Sequence, residues 1–142
     1  MPHESYFSAV RLPDQEANQV FKLLGARLGQ AQNGTAEITL PMSASLTQGA
    51  GFIAGGILAT LADEAMAHAV MSLVDENQRF LTVEMNIRYL RAADPGQAGE
   101  ITATGSVVKR GKTILFAESR LSGPDGKLLA VAGGSFAISQ SR

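Results

Sequence analysis

The segment Gln48–Ala65 holds the residues best suited to chemistry. Gly55 and Gly56 stand at the head of a long helical pattern, and Asp63 follows two turns later on its polar side, with Thr60. The first N–H groups of a helix have no partner within it and sit at the positive end of its dipole. Glycine lets a ligand approach that backbone closely. Such a place suits a carbonyl oxygen that becomes an oxyanion. A carboxylate on an otherwise apolar helix can activate water or attack directly. Each feature also has a plainer reading: a glycine pair often marks only a turn, and Asp63-Glu64 also reads as a solvated helix face.

The elements that must carry these residues follow from periodicity. Between Gly55 and Val74, Ile57, Leu58, Leu61, Ala62, Ala65, Met66, Ala69 and Leu73 recur at helical spacing, with Thr60, Asp63, Glu64, Ala67, His68 and Met71 on the other side. The many small residues predict a slim helix that a sheet can wrap closely. Upstream, Gln15–Leu24 has a helical pattern ended by Gly25, and Ala26–Gln32 and Thr35–Leu40 flank Asn33-Gly34, a hairpin signal because both residues tolerate positive φ. Residues 42–52 read as a loop.

Downstream, Leu81, Val83, Met85, Ile87 and Tyr89 alternate with Thr82, Glu84, Asn86 and Arg88, the period of a strand. Strands over Glu100–Val108, Thr113–Leu121 and Leu128–Ile138 complete an antiparallel meander, with turns at Ala93–Gly96 and Gly123–Gly126. Strands segregated from one long helix define an α+β protein. The 142 residues make one domain, 1–142, in which 1–24 form an N-terminal tail and short helix.

Composition narrows the function. A net charge of −1 argues against nucleic-acid binding, which needs a basic field. The absence of cysteine excludes a disulfide scaffold, a thiolate metal site and a cysteine nucleophile. With only His3 and His68 as imidazoles, a zinc or iron site is not expected, nor is a cofactor. His3 is assigned to a mobile tail. His68 is read as structural, in a surface pair with Glu64 at i+4. No apolar run approaches the roughly 20 residues of a membrane span. No secretory leader is evident, so a cytoplasmic protein is expected.

The stretch Gln48, Gly51, Ala54-Gly55-Gly56 and Leu61-Ala62-Asp63-Glu64-Ala65 resembles the hotdog-fold acyl-CoA thioesterases of the 4-hydroxybenzoyl-CoA and phenylacetyl-CoA type. The resemblance continues through Thr82–Arg91, Gly99-Glu100, Val107–Thr113 and Asp125-Gly126-Lys127, and spans about residues 36–138. It implies a curved antiparallel sheet wrapped around a long central helix, and hydrolysis of an acyl-CoA thioester. It matches Asp63 to the catalytic carboxylate, general base or nucleophile. Gly55 matches the glycine whose N–H polarises the thioester carbonyl, and Gln48 the loop amide that holds carbonyl or water. Asp63 would come from a partner subunit, so a homodimer, or a dimer of dimers, is implied.

This chain departs from the family pattern at Ala54, where a His usually precedes the glycine pair, and at Ala67, where some members carry a hydroxyl. Gln48 or Thr60 would then hold the water. Gly56 and Thr60 are expected beside the substrate, and Phe52, Met71, Met85 and Tyr89 are candidates to line an acyl pocket. Among the cations Arg88, Arg91, Lys109, Arg110 and Lys112, we assign Arg110 and Lys112 to the CoA phosphates. The alternatives are an acyl-CoA-binding protein without turnover, for which Ala54 speaks, and, less favoured, a hotdog hydratase or dehydratase.

Overall fold

The Asn33-Gly34 dipeptide does what its chemistry dictates: φ is 53° at Asn33 and 79° at Gly34, and strands β1 (Arg27–Gln32) and β2 (Thr35–Pro41) fold back antiparallel on either side. The computed structural model describes residues 2–140. Two short helices, α1 (Glu4–Val10) and α2 (Gln19–Leu24), precede the hairpin. A short 3-10 turn, Ala44–Leu46, leads to the long helix α3 (Gly55–Met71). Strands β3 (Gln78–Tyr89), β4 (Glu100–Arg110), β5 (Ile114–Ser122) and β6 (Leu128–Gln140) follow. The six strands form one antiparallel sheet in the order β1-β2-β4-β5-β6-β3. The sheet curves around α3, the α+β hotdog arrangement.

Helix α3 buries Leu58, Leu61, Ala62, Ala65, Met66, Ala69 and Val70 against the sheet. Burying one large aliphatic side chain contributes about 1.5–3 kcal/mol, so this face is a principal source of stability. The approach is close because small residues meet. A Cβ on Gly105 of β4 would lie 2.2 Å from the Ala65 carbonyl oxygen, so only glycine lets the helix sit there.

Three expectations need correction. The first concerns the N-terminus, which is helical at Glu4–Val10 and inserts Phe7 and Val10 into the core, with the His3 ring edge-on to Phe80 at 6.4 Å. Seven residues with one apolar pair give too weak a pattern to read as a helix; tertiary burial supplies the missing stability. Helix α2 begins at Gln19 rather than Gln15, because Asn18 caps it by accepting from the Phe21 N–H at 3.1 Å.

The second concerns strand β3. A bulge between Thr82 and Glu84 makes Val83 an extra residue against β6 and shifts the alternation by one. Leu81 and Val83, which the alternation groups on one side with Met85 and Ile87, are 75% and 60% exposed, and Thr82 instead reaches α3.

The third concerns His68, which is only 1% exposed rather than part of a surface pair. The N-terminal segment covers that side of α3: Phe21 stacks on the imidazole at 5.1 Å, with Tyr6 and Phe7 close by. Among the described residues no helix is long and apolar enough to cross a membrane, and no group of three or more potential ligands is placed to hold a metal ion.

Candidate active site

The loop before α3 is tied down where it meets the helix, which sets the angle of the helix N-terminus. The Ile53 N–H donates to the Ala93 carbonyl at 2.9 Å and the Ala54 N–H to the Leu46 carbonyl at 3.0 Å. Ala54 is the extended N-cap residue. Its carbonyl accepts from Ile57 and Leu58, while its methyl side chain makes no cap. The N–H groups of Gly55 and Gly56 find no acceptor among the described residues. A Cβ on Gly56 would meet nothing within 4 Å, so the side-chain position of that residue faces open space.

An open groove of about 310 Å³ lies beside this turn. Its walls include Gln48, Phe52, Gly55, Leu58, Tyr89 and Arg91. Four expected site residues or lining candidates, Gln48, Phe52, Gly55 and Tyr89, thus meet in one place. The Gln48 Oε1 accepts from the Ala50 N–H at 2.6 Å and the Phe52 N–H at 3.4 Å. Two backbone donors settle which side-chain atom is the oxygen, and Nε2 is left with no partner among the described residues. The Tyr89 hydroxyl donates to the Gly55 carbonyl at 2.6 Å. Arg91 is the groove's cation and approaches Asp125 at 3.4 Å.

Asp63 lies elsewhere in the same chain. Eight residues along α3 place it about 12 Å from Gly55. Its Oδ1 accepts from the Thr82 hydroxyl on β3 at 2.7 Å. Thr60, expected to serve water or substrate, donates its hydroxyl back to the Gly56 carbonyl at 2.9 Å. Met71 ends α3, roughly 24 Å from Gly55, and Met85 packs inward against Gly134. Arg110 and Lys112 are exposed at the β4–β5 hairpin. That hairpin lies near the far end of α3, where the Gly34 N–H meets the Ser72 hydroxyl and the Val107 N–H meets the Gly34 carbonyl. Within one chain, neither cation reaches the groove.

Glu64, the neighbouring carboxylate, turns toward the N-terminal segment, where Asn18 Nδ2 donates to it at 3.4 Å. Burial raises its pKa above the ordinary carboxylate value, and the charge of Asp63 adds to the effect. The His68 Nδ1 sits 2.7 Å from the Glu64 backbone carbonyl. A carbonyl only accepts, so Nδ1 carries the proton and Nε2 accepts from the Tyr6 hydroxyl at 2.9 Å. Burial depresses the His68 pKa to about 4, so the ring is neutral at pH 7 and its 3.6 Å approach to the Glu64 carboxylate is not an ion pair. Asp63 and Glu64, adjacent in sequence, therefore occupy opposite settings: one on the open sheet edge, the other in a buried polar cluster.

Periodicity alone did not single out Thr82 or the Tyr89 hydroxyl. Both lie in the stretch Thr82–Arg91 that carries the downstream resemblance, but the bulge that turns Thr82 inward leaves no mark in a hydrophobic pattern.

Comparisons with known proteins agree with this architecture. Residues 50–130 match the family model described as the thioesterase superfamily. A putative esterase of Halobacterium salinarum is 32% identical over 130 residues, 84% of this chain and 83% of that protein. Mouse acyl-coenzyme A thioesterase 13 is 37% identical over 81 residues, 56% of each chain. A thioesterase family protein from Silicibacter pomeroyi has a solved structure that superposes with a TM-score of 0.82 at 28% identity, covering 98% of both chains. With this fold, this glycine-headed helix and a family match over more than half its length, the chain belongs to the thioesterase superfamily, whose chemistry is thioester hydrolysis.

Proposed function

We propose that this protein hydrolyses an acyl-CoA thioester to free acid and CoA, at a site shared between two copies of the chain. The separation of Gly55 and Asp63 on one helix carries the reading. A reacting carbonyl and its nucleophile must lie about 3–3.5 Å apart, whereas these two groups are about 12 Å apart along α3. One chain therefore does not serve a single carbonyl with both. Each group is bonded to the edge strand β3, Gly55 through Tyr89 and Asp63 through Thr82.

Antiparallel pairing of β3 with a second copy, centred between Met85 and Asn86, sets Thr82 of one opposite Tyr89 of the other. Asp63 of one copy then approaches Gly55 of the other. The same pairing carries the Arg110–Lys112 hairpin of one copy toward the other's groove, because that hairpin adjoins the first residues of β3 through Ile114, Ala137 and Leu81. An unpaired edge with exposed Leu81 and Val83 supports such a contact, as a dimer or as the unit of a tetramer.

In this site the Gly55 N–H and the dipole of α3 hold the developing oxyanion, with Gln48 Nε2 as a further donor to the carbonyl or the water. Asp63 takes a proton from water as it adds to the carbonyl carbon; the carbon–sulfur bond then breaks and the proton passes to the departing thiolate. In the other course open to the same residue, Asp63 attacks the carbonyl carbon, the carbon–sulfur bond breaks and CoA leaves as thiolate, and water then opens the resulting anhydride, regenerating the carboxylate and supplying the thiolate's proton. Phe52 and Tyr89 wall the acyl group beside Gly56 and Thr60, and Arg110 and Lys112 meet the CoA phosphates. The relative named as an acyl-coenzyme A thioesterase supports the choice of thioester.

Thiol release from a panel of aryl and aliphatic acyl-CoAs tests the reading, with wild type and Asp63→Asn side by side. Turnover in the wild type, reduced at least about 100-fold in the variant, is expected. Full activity in Asp63→Asn overturns the assignment. Ala54 favours a second reading, an acyl-CoA-binding protein without turnover, which tight binding with no thiol release across the panel would establish.

A further inference from the structure

The glycine turn at the head of α3 has no side chain of its own to hold it. Ala54 makes no cap, Gly55 and Gly56 have no side chains, and the Thr60 hydroxyl is bonded to the Gly56 carbonyl. The side-chain donor to the Gly55 carbonyl comes from the sheet. The Tyr89 hydroxyl donates to the Gly55 carbonyl at 2.6 Å, a short bond for O–H···O. The ring lies against the glycine: a Cβ at position 55 would come within 3.2 Å of Tyr89 Cζ and Oη. The next residue contrasts with this, since a Cβ at Gly56 would meet nothing within 4 Å.

The Gly55 carbonyl and the Gly56 N–H are the two ends of one peptide group. A donor on the oxygen draws electron density from the nitrogen, makes the N–H a stronger donor and fixes the peptide plane. Tyr89 holds the oxygen end of this peptide, and the N–H end has no acceptor among the described residues. We propose that Tyr89 is the positioning residue of the oxyanion site, orienting and polarising the Gly55–Gly56 peptide so that the Gly56 N–H joins the Gly55 N–H as a second donor to the thioester oxygen. This rests on the thioester reading above. Two amides aimed at one oxygen are the arrangement that acyl transfer rewards. Strand β3 thereby aligns both halves of the chemistry, Tyr89 on the oxyanion turn and Thr82 on Asp63.

The test uses Tyr89→Phe, which removes only the hydroxyl, and Tyr89→Leu, which also removes the ring. In the full-length protein, Tyr89→Phe lowers kcat about five- to tenfold, leaves KM within about twofold and leaves the melting temperature unchanged. Tyr89→Leu lowers kcat at least as much and raises KM, since the groove loses a wall. In protein labelled with 15N-glycine and free of substrate, the Gly56 amide proton moves upfield in Tyr89→Phe. An unchanged kcat together with an unmoved Gly56 amide overturns the proposal, as does a loss confined to KM. The amide resonance needs no turnover. If no acyl-CoA is hydrolysed, the substrate reading fails while the resonance still decides for or against Tyr89.

Discussion

The Thr82 hydroxyl donates to the Asp63 carboxylate across 2.7 Å, from the edge strand β3 to the middle of α3. This bond occupies one lone pair of Oδ1, leaves Oδ2 with no partner among the described residues, and fixes the direction in which the carboxylate faces the sheet edge. Thr82→Val removes the hydroxyl at nearly constant volume. It should lower kcat about tenfold with little change in KM, because one hydrogen bond to a charged group contributes about 1.5–3 kcal/mol. Thr82→Ser should restore most of the activity. Steady-state kinetics on the three proteins checks this, and equal kcat in all three would remove Thr82 from the site.

A shared site predicts complementation. Asp63→Asn and Gly55→Val chains are each expected to be inactive alone. Mixed dimers made by co-expression regain one site of two, since one groove then combines an intact Gly55 with an intact Asp63. About half the wild-type turnover per mixed dimer is expected from purified heterodimers, whereas a site contained within one chain leaves them dead.

The two glycines should respond differently to alanine. Gly55→Ala forces Tyr89 to shift, because the new Cβ would sit 3.2 Å from its ring and hydroxyl. Gly56→Ala meets no protein atom and should leave the melting temperature within a degree or two. It should still lower turnover, because its methyl enters the space the thioester needs. Thermal melts beside thiol-release rates check both, and a fully active Gly56→Ala would show that no ligand approaches that amide.

Stability should depend on pH through His68. Its folded pKa is about 4, below the unfolded value near 6.5, so between these values the unfolded chain binds a proton that the native protein refuses. Stability falls as pH drops from about 6.5 to 4 and levels off below, by about 3 kcal/mol in all. Glu64 works in the opposite sense: its raised pKa makes the native state take a proton before the unfolded chain does, so its burial costs least at low pH. Urea unfolding from pH 7.5 to 4 should show a loss in the wild type that is smaller in His68→Gln. The same slope in both would assign the titration to another group.

Much of the fold was legible because local chemistry decides it. Positive φ at Asn33 and Gly34 turns the first hairpin, and the spacing from Leu58 to Val70 makes α3 a helix with one buried face. The small side chains of α3 foretold the close sheet that Gly105 touches. Gln48, Gly55 and Asp63 stood out by type and spacing and by the family they resemble.

The tertiary structure decided the rest. A single inserted residue, Val83, reverses which side of β3 faces the helix, and no hydrophobic pattern records a bulge whose outward residues are still Leu and Val. His68 was placed on a polar face because helical spacing reports a face but not what covers it, and the covering aromatics come from residues 6–21. The sequence by itself named the candidate residues for the chemistry and the elements that carry them. Only the tertiary structure decided that Tyr89 meets Gly55 and Thr82 meets Asp63, because the bulge and path of β3 set contacts that spacing along a sequence does not contain.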